Sequence, residues 1–319
     1  YFLFFQSPWT WVSAPVVIFC RYDFFPELLS FKFLGKKLIL LSAASKKPSW
    51  FKSQSIELFS LIVAANNGEA RYFKENFPNK KIHAFDFRVP RIFKRVEQST
   101  ATLARIVELK SYLKFLDERS PSSKLILGSS WESDLVIIKN SSSNAFWIQD
   151  ILNNNIHLLI VPHNLGSESV SQLKNSLGLI LPNVPVYEIS KAHEFEAQIL
   201  NTSPGIVILN MSGVLCELYT KFSWAYVGGG YERSIHSVLE PFLSGCQVIC
   251  GPKVNRSTEF DFIKDFAPNE IELLKNAESF YNLMKEKFSK AALKSNERVD
   301  LRNKSLALME SIIKEIELC

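Results

Sequence analysis

Short apolar runs recur along this 319-residue chain, and their spacing leaves it few folds. They stand at Val16–Phe19, Lys37–Ser42, Lys81–Phe87, Lys124–Leu127, Ile156–Val161, Val186–Ile189, Ile206–Leu209, Trp224–Val227 and Gln247–Cys250. Most are continuously apolar rather than alternating, the pattern of strands buried on both faces, and stretches of helical period or turn residues separate them. Helical spacing is read over 55–77, 90–116, 270–288 and 291–318. Strand and helix in alternation predict an α/β chain with doubly wound parallel sheets. The polar stretch Glu118–Ser123, containing Pro121, reads as a linker. It gives a first domain over 1–118, a linker at 119–123, a second domain over 124–300, and a terminal helix over 301–319 that covers either domain or crosses back over the first.

Composition narrows the function classes. With 47% apolar and 22% charged residues the chain can bury a large core, and its net charge of +5 is too mild and scattered for a nucleic-acid stripe. No apolar run is long enough to span a bilayer. The cysteines lie far apart except Cys246 and Cys250, which read as small buried residues; the histidines form no ligand cluster with them, so neither a metal site nor a cofactor is expected. A reducing compartment suits this usage.

The stretch Trp224–Gly245 carries the clearest chemistry. A strand runs into Gly228, Gly229 and Gly230, and a helical Val238–Leu243 pattern follows. Glycines there let the backbone approach a ligand, and the helix start offers N–H groups to an anion; a tight structural connection is the alternative. Asp23 follows a strand and faces either a ligand or the helix it would cap before Pro26.

An ordered set of motifs then carries a resemblance. Arg21-Tyr-Asp-Phe-Phe-Pro-Glu-Leu-Leu, Leu41-Ser-Ala, Asp86-Phe-Arg, Gly128-Ser-Ser-Trp-Glu, Val161-Pro-His, Gly213-Val-Leu-Cys-Glu-Leu-Tyr, Val227-Gly-Gly-Gly, His236-Ser-Val-Leu-Glu-Pro and Gly251-Pro follow one another along nearly the whole chain. In order and spacing the set resembles the 3-deoxy-D-manno-octulosonic acid (Kdo) transferases of lipopolysaccharide synthesis. The resemblance implies a GT-B fold: two Rossmann-like doubly wound domains facing a central cleft, the first of them incomplete here. It also implies transfer of Kdo from CMP-Kdo to a lipid A precursor, with inversion, without an obligatory metal, and in peripheral contact with the cytoplasmic face of the bacterial inner membrane.

Carried over residue by residue, the resemblance implies a donor site built from Gly228, Gly229, Gly230, His236, Ser237, Glu240, Pro162, His163 and Gly213. Glu240 would accept from ribose hydroxyls, or else form a capping box with Ser237. His236 would touch the donor, or else be a helix-start histidine held by backbone. On the acceptor side Asp23, Lys46 (or Lys47) and Arg88 are implied, with an Asp86–Arg88 ion pair the alternative for the last. The family's catalytic Glu would lie upstream of Tyr1, so no base is named. Ser237 where the family has Asn, and Asn164 where a basic residue often follows, leave open another nucleotide sugar; Arg21 stands where many members have Glu, a known variant of the family. The upstream segment that would hold the base leaves open a protein that binds without transferring.

Overall fold

The computed structural model describes residues 12–21, 24–44, 50–120, 123–139, 148–192, 194–255, 257–287 and 296–317. The chain forms two compact units, 1–90 with 299–319, and 91–298. Asp23, Lys46 and Lys47 lie outside the described residues.

The first unit holds a four-stranded parallel sheet of β1 (Val16–Cys20), β2 (Lys37–Ala43), β3 (Leu61–Ala64) and β4 (Lys81–Ala84), in that order. β2 and β3 are covered on both faces. Leu38, Leu40, Ile62 and Ala64 enter one core with Phe19 and Phe31, while Ile39, Leu61 and Val63 enter another with Phe85. Ile312, from the helix Asn296–Glu317, is fully buried in that second core.

The second unit holds seven parallel strands: β5 (Lys124–Ser130), β6 (His157–Pro162), β7 (Val186–Ser190), β8 (Ile206–Asn210), β9 (Trp224–Val227), β10 (Gln247–Cys250) and β11 (Ile271–Leu273). Their order is β11-β10-β9-β5-β6-β8-β7. Residue alternation sends neighbouring side chains to opposite faces. Leu125, Leu127, Leu158, Ile160, Trp224 and Tyr226 face one core, and Ile126, Leu159, Val161 and Ala225 face the other. Burying each such aliphatic side chain contributes about 1.5–3 kcal/mol, which is why central strands read as unbroken apolar runs.

Four stretches depart from the sequence expectation. The helical spacing over 55–77 contains β3, flanked by helices Trp50–Ile56 and Asn67–Asn76. Leu61-Ile-Val-Ala is buried on both sides, so no alternation marks it as a strand. The pattern over 90–116 is broken into helices Arg88–Glu97, Ser99–Leu103 and Lys110–Asp117 with a 3-10 turn at Val107–Leu109. The stretch 270–288 opens with β11, and its helix spans Ala277–Lys287. Finally, the units divide after Pro90, ahead of the polar stretch at 119–123. The reason is packing: Leu103, Leu109, Tyr112, Phe115 and Leu116 are buried with Ile126, Leu159 and Val207 of the second sheet.

Candidate functional site

β5 and β9 lie side by side, yet the chain leaves β5 towards β6 on one side and leaves β9 towards β10 on the other. Such a reversal opens a crevice at the carboxyl ends of the strands, where α/β sheets place ligands. Gly228–Gly230 continue β9 there, Trp131 follows β5, and His163 follows β6.

The glycine run is built into the scaffold. A side chain at Gly228 would fall on the Ser129 carbonyl, with its Cβ 2.6 Å from Ser130 Cα, so only glycine lets β5 and β9 close at this point. Gly229 has φ +98, a left-handed conformation costly for other residues. The Gly228 amide donates to the Gly128 carbonyl at 2.9 Å and the Gly229 amide to Asp134 Oδ2 at 3.0 Å. Two of the three amides expected to meet a donor are therefore spent internally. The carbonyls organise the loop beyond: Gly228 accepts from the His236 amide at 3.1 Å, and Gly230 from the Lys253 amide at 2.8 Å.

Asp134 holds this junction. Fully buried, it accepts from the Trp131 amide at 2.8 Å, the Gly229 amide, and the Tyr226 hydroxyl at 2.7 Å. Burial raises its pKa despite those three donors. Sequence reading passed over Asp134; its only signal was a carboxylate three residues past Trp131, the N-cap spacing.

Above the junction lies a cluster of rings. His163 stacks on Trp131 with centroids 4.4 Å apart, and on His236 at 4.2 Å. Trp131 Nε1–H donates to His236 Nε2 at 2.9 Å. An indole only donates, so His236 Nε2 is the acceptor and the ring proton sits on Nδ1. The Arg233 guanidinium lies 4.3 Å from the Trp131 ring centroid. Burial lowers both histidine pKa values, with Arg233 adding to it for His163, and His163 and Arg233 for His236. The site thus presents neutral imidazoles beside an exposed cation. Next to it a cavity of about 530 Å³ is lined by Ser130, Trp131, Pro162, Asn164, Gln172 and Glu232 among others.

The other expected residues fall into separate groups. Glu240 opens the helix Leu239–Ser244 and sits 3.4 Å from Arg95 Nη1. Arg95 holds buried Glu217 in a two-point pair, both bonds 2.8 Å. Burial raises the Glu240 pKa, opposed by Arg95. The capping box from Ser237 to Glu240 does not form. Ser237 Oγ donates instead to Glu259 Oε2 at 2.9 Å, and the same oxygen accepts from the Leu239 amide at 3.1 Å. Gly213, at φ +84, turns the chain from β8 into the helix Leu215–Tyr219 that carries Glu217. In the first unit, Arg88 is engaged by Asp86, which accepts from its Nε at 2.9 Å and from its backbone amide at 3.0 Å. That is the ion-pair alternative for Arg88. Among the described residues no group of three or more His, Cys, Asp or Glu side chains is placed to hold a metal ion.

The UDP-forming α,α-trehalose-phosphate synthase of Burkholderia xenovorans superposes with a TM-score of 0.54 over 95% of this chain and 73% of that one, at 10% identity. The fold is GT-B. The corresponding Burkholderia vietnamiensis synthase gives 0.51 at 10% identity, over 96% and 74%. The C-terminal CMP-Kdo binding domain of WaaA from Acinetobacter baumannii matches 69% of this chain and 98% of its own length, at 14% identity and a TM-score of 0.43. No protein-family model and no curated protein matches the sequence. No helix among the described residues is long and apolar enough to cross a membrane.

Proposed function

We propose that this chain is a glycosyltransferase that takes a nucleotide-activated sugar at the β5–β9 switch point. The specific reading is Kdo transfer from CMP-Kdo to a lipid A precursor at the inner membrane. The observation that carries the transferase reading is the ring cluster: Trp131, His163 and His236 converge with Arg233 at the carboxyl ends of β5, β6 and β9. The ordered motifs from Arg21 to Pro252 support the choice of Kdo.

Each group has work it can do. The Arg233 guanidinium offers N–H donors to a phosphate, and leaving-group charge is what a donor site must stabilise. Neutral His163 and His236 hydrogen-bond hydroxyl or phosphate oxygens without adding charge. Glu240 keeps a loose contact to Arg95, so its carboxylate is the acceptor that a ribose diol can recruit, while Glu217 keeps Arg95 in place. Gly228 positions His236 through its carbonyl, and the Gly228 and Gly229 amides are taken up inside the scaffold instead of by phosphate.

A transfer assay tests the reading. The chain is incubated with CMP-Kdo and a Kdo-free lipid A precursor, and in parallel with UDP-glucose and UDP-N-acetylglucosamine, and nucleotide release is followed. Release from CMP-Kdo that requires acceptor supports it. Release from a UDP-sugar alone moves the function to another nucleotide sugar, and binding without turnover of any donor moves it to a non-catalytic protein.

A further inference from the structure

Beyond β6, at the same carboxyl end of the second sheet, stands a chain of polar side chains that neither the ring cluster nor Glu240 touches. Asn210 closes β8, and Glu188 lies on edge strand β7. Leu159 pairs with Val207 and Ile160 with Ile208, so two residues further on Pro162 stands opposite Asn210. Ile160, Ile208 and Val186 pack into one core, and alternation puts Pro162, Asn210 and Glu188 on that same face. Pro162 and Leu173 line the cavity beside the rings, and Lys174 follows Leu173 on the helix Ser167–Ile180.

The chemistry of these groups fixes which way the Asn210 amide points. Lys174 Nζ donates to Glu188 Oε2 at 2.6 Å, and Asn210 Nδ2 donates to Glu188 Oε1 at 3.0 Å. A carboxylate only accepts, so the NH2 of Asn210 must face Glu188 and its Oδ1 is turned away. Among the described residues no protein group donates to that oxygen. Turning the amide over would set Oδ1 against a carboxylate oxygen that Lys174 keeps charged, so the half-buried side chain is held as an acceptor. Lys174 alone would complete the Glu188 ion pair; the added amide is a group that a ligand can read.

The groups assigned to the nucleotide lead to this oxygen. Arg95 bonds both Glu240 and Glu217, so a ribose held at Glu240 lies beside the helix Leu215–Tyr219, which follows Asn210 after one short turn. A base joined to that ribose reaches the end of β8. We propose that Asn210 Oδ1 reads the nucleobase by accepting from an exocyclic amino group, with Glu188 and Lys174 as positioning residues that keep it an acceptor. Cytosine carries an amino group where uracil carries an oxygen, and that oxygen would meet Oδ1 lone pair to lone pair. A site built to bond one of the two rejects the other, because its own polar group is then left unpaired. The inference rests on the donor-site reading and adds to it the residue that chooses the base.

Calorimetric titration of CMP and UMP into the full chain tests it, with the wild type, Asn210→Ala and Glu188→Gln. The wild type prefers CMP by about tenfold or more. Asn210→Ala weakens CMP about tenfold and UMP not at all, so the preference disappears. Glu188→Gln keeps the size of the side chain but lets the Asn210 amide turn over, so UMP binding strengthens and the ratio falls towards one. A role confined to folding lowers both affinities together and keeps the ratio, which overturns the inference. A wild type that binds neither nucleotide overturns the donor-site reading along with it. A CMP preference that neither variant moves overturns the inference alone.

Discussion

Trp131 donates its indole N–H to His236 Nε2 across 2.9 Å, tying the end of β5 to the loop after β9, residues 105 apart in sequence. The bond exists only while His236 is neutral, since a protonated ring has no acceptor nitrogen. Burial, His163 and Arg233 all favour that neutral form. Proton NMR of the His236 ring is therefore expected to give an apparent pKa below the ordinary value near 6.5, and Arg233→Ala is expected to raise it. A His236 pKa above the ordinary value would show that the bond does not form in solution.

Asp134→Ala tests the buried junction. The variant removes both acceptor oxygens, and with them the partner of the Trp131 and Gly229 amides and of the Tyr226 hydroxyl. A loss of about 2–4 kcal/mol in urea unfolding is expected, the cost of leaving buried donors unpaired. Unchanged stability would remove Asp134 from its structural role.

Gly228→Ala and Gly213→Ala should separate close packing from backbone conformation. The first drives a methyl into the β5 backbone, and a loss above about 3 kcal/mol, or failure to fold, is expected. The second meets no atom within 4 Å and bears only the strain of a positive φ, about 1 kcal/mol. Equal losses measured by thermal unfolding would contradict the packing argument.

The strand pattern was legible because buried parallel strands bring continuous apolar runs, and Trp224–Val227 ending in three glycines marked a strand that runs into a turn; that this turn stands at the switch point follows only from the strand order. β3 was hidden because Leu61–Ala64 has the same apolar content as the helix faces around it, and β11 is only three residues long. The histidines were singled out from motif order. The Arg95–Glu217 pair beside Glu240 was not, since the two are separated by 122 positions and nothing in either local sequence announces the other. Trp131 stood inside a motif, and Arg233 inside the stretch Trp224–Gly245, without a role, because ring stacking is a property of the folded crevice.

The Arg95 network should respond unequally. Arg95→Ala leaves nearly buried Glu217 without its two-point partner, and a loss of about 2–4 kcal/mol is expected. Glu240→Ala removes only a 3.4 Å contact from a partly exposed carboxylate, so stability should fall by less than about 1 kcal/mol. Comparable losses would mean that Glu240 serves the fold and is not held available for a ligand.

Acid stability follows from His157, buried against the Tyr112 hydroxyl at 2.6 Å. Burial, then Arg119 and Lys124, pushes its pKa down to about 3. A histidine with a depressed folded pKa stabilises fully above its unfolded value, about 6.5. That contribution is lost as pH falls from there towards 3, where the unfolded chain binds the proton that the folded one refuses. Stability is expected to fall by several kcal/mol across this window, and the slope should flatten in His157→Gln. An identical slope in the variant would assign acid sensitivity elsewhere.

The central claim, a nucleotide-sugar donor site at the β5–β9 switch point with CMP as its nucleotide, is tested most directly by calorimetric titration of CMP and UMP into the wild type, Arg233→Ala and Glu240→Ala. The account predicts that CMP binds more tightly than UMP and that each variant weakens CMP about tenfold, a change of about 1.4 kcal/mol. Equal binding of the two nucleotides, or variants that bind CMP like the wild type, would contradict it.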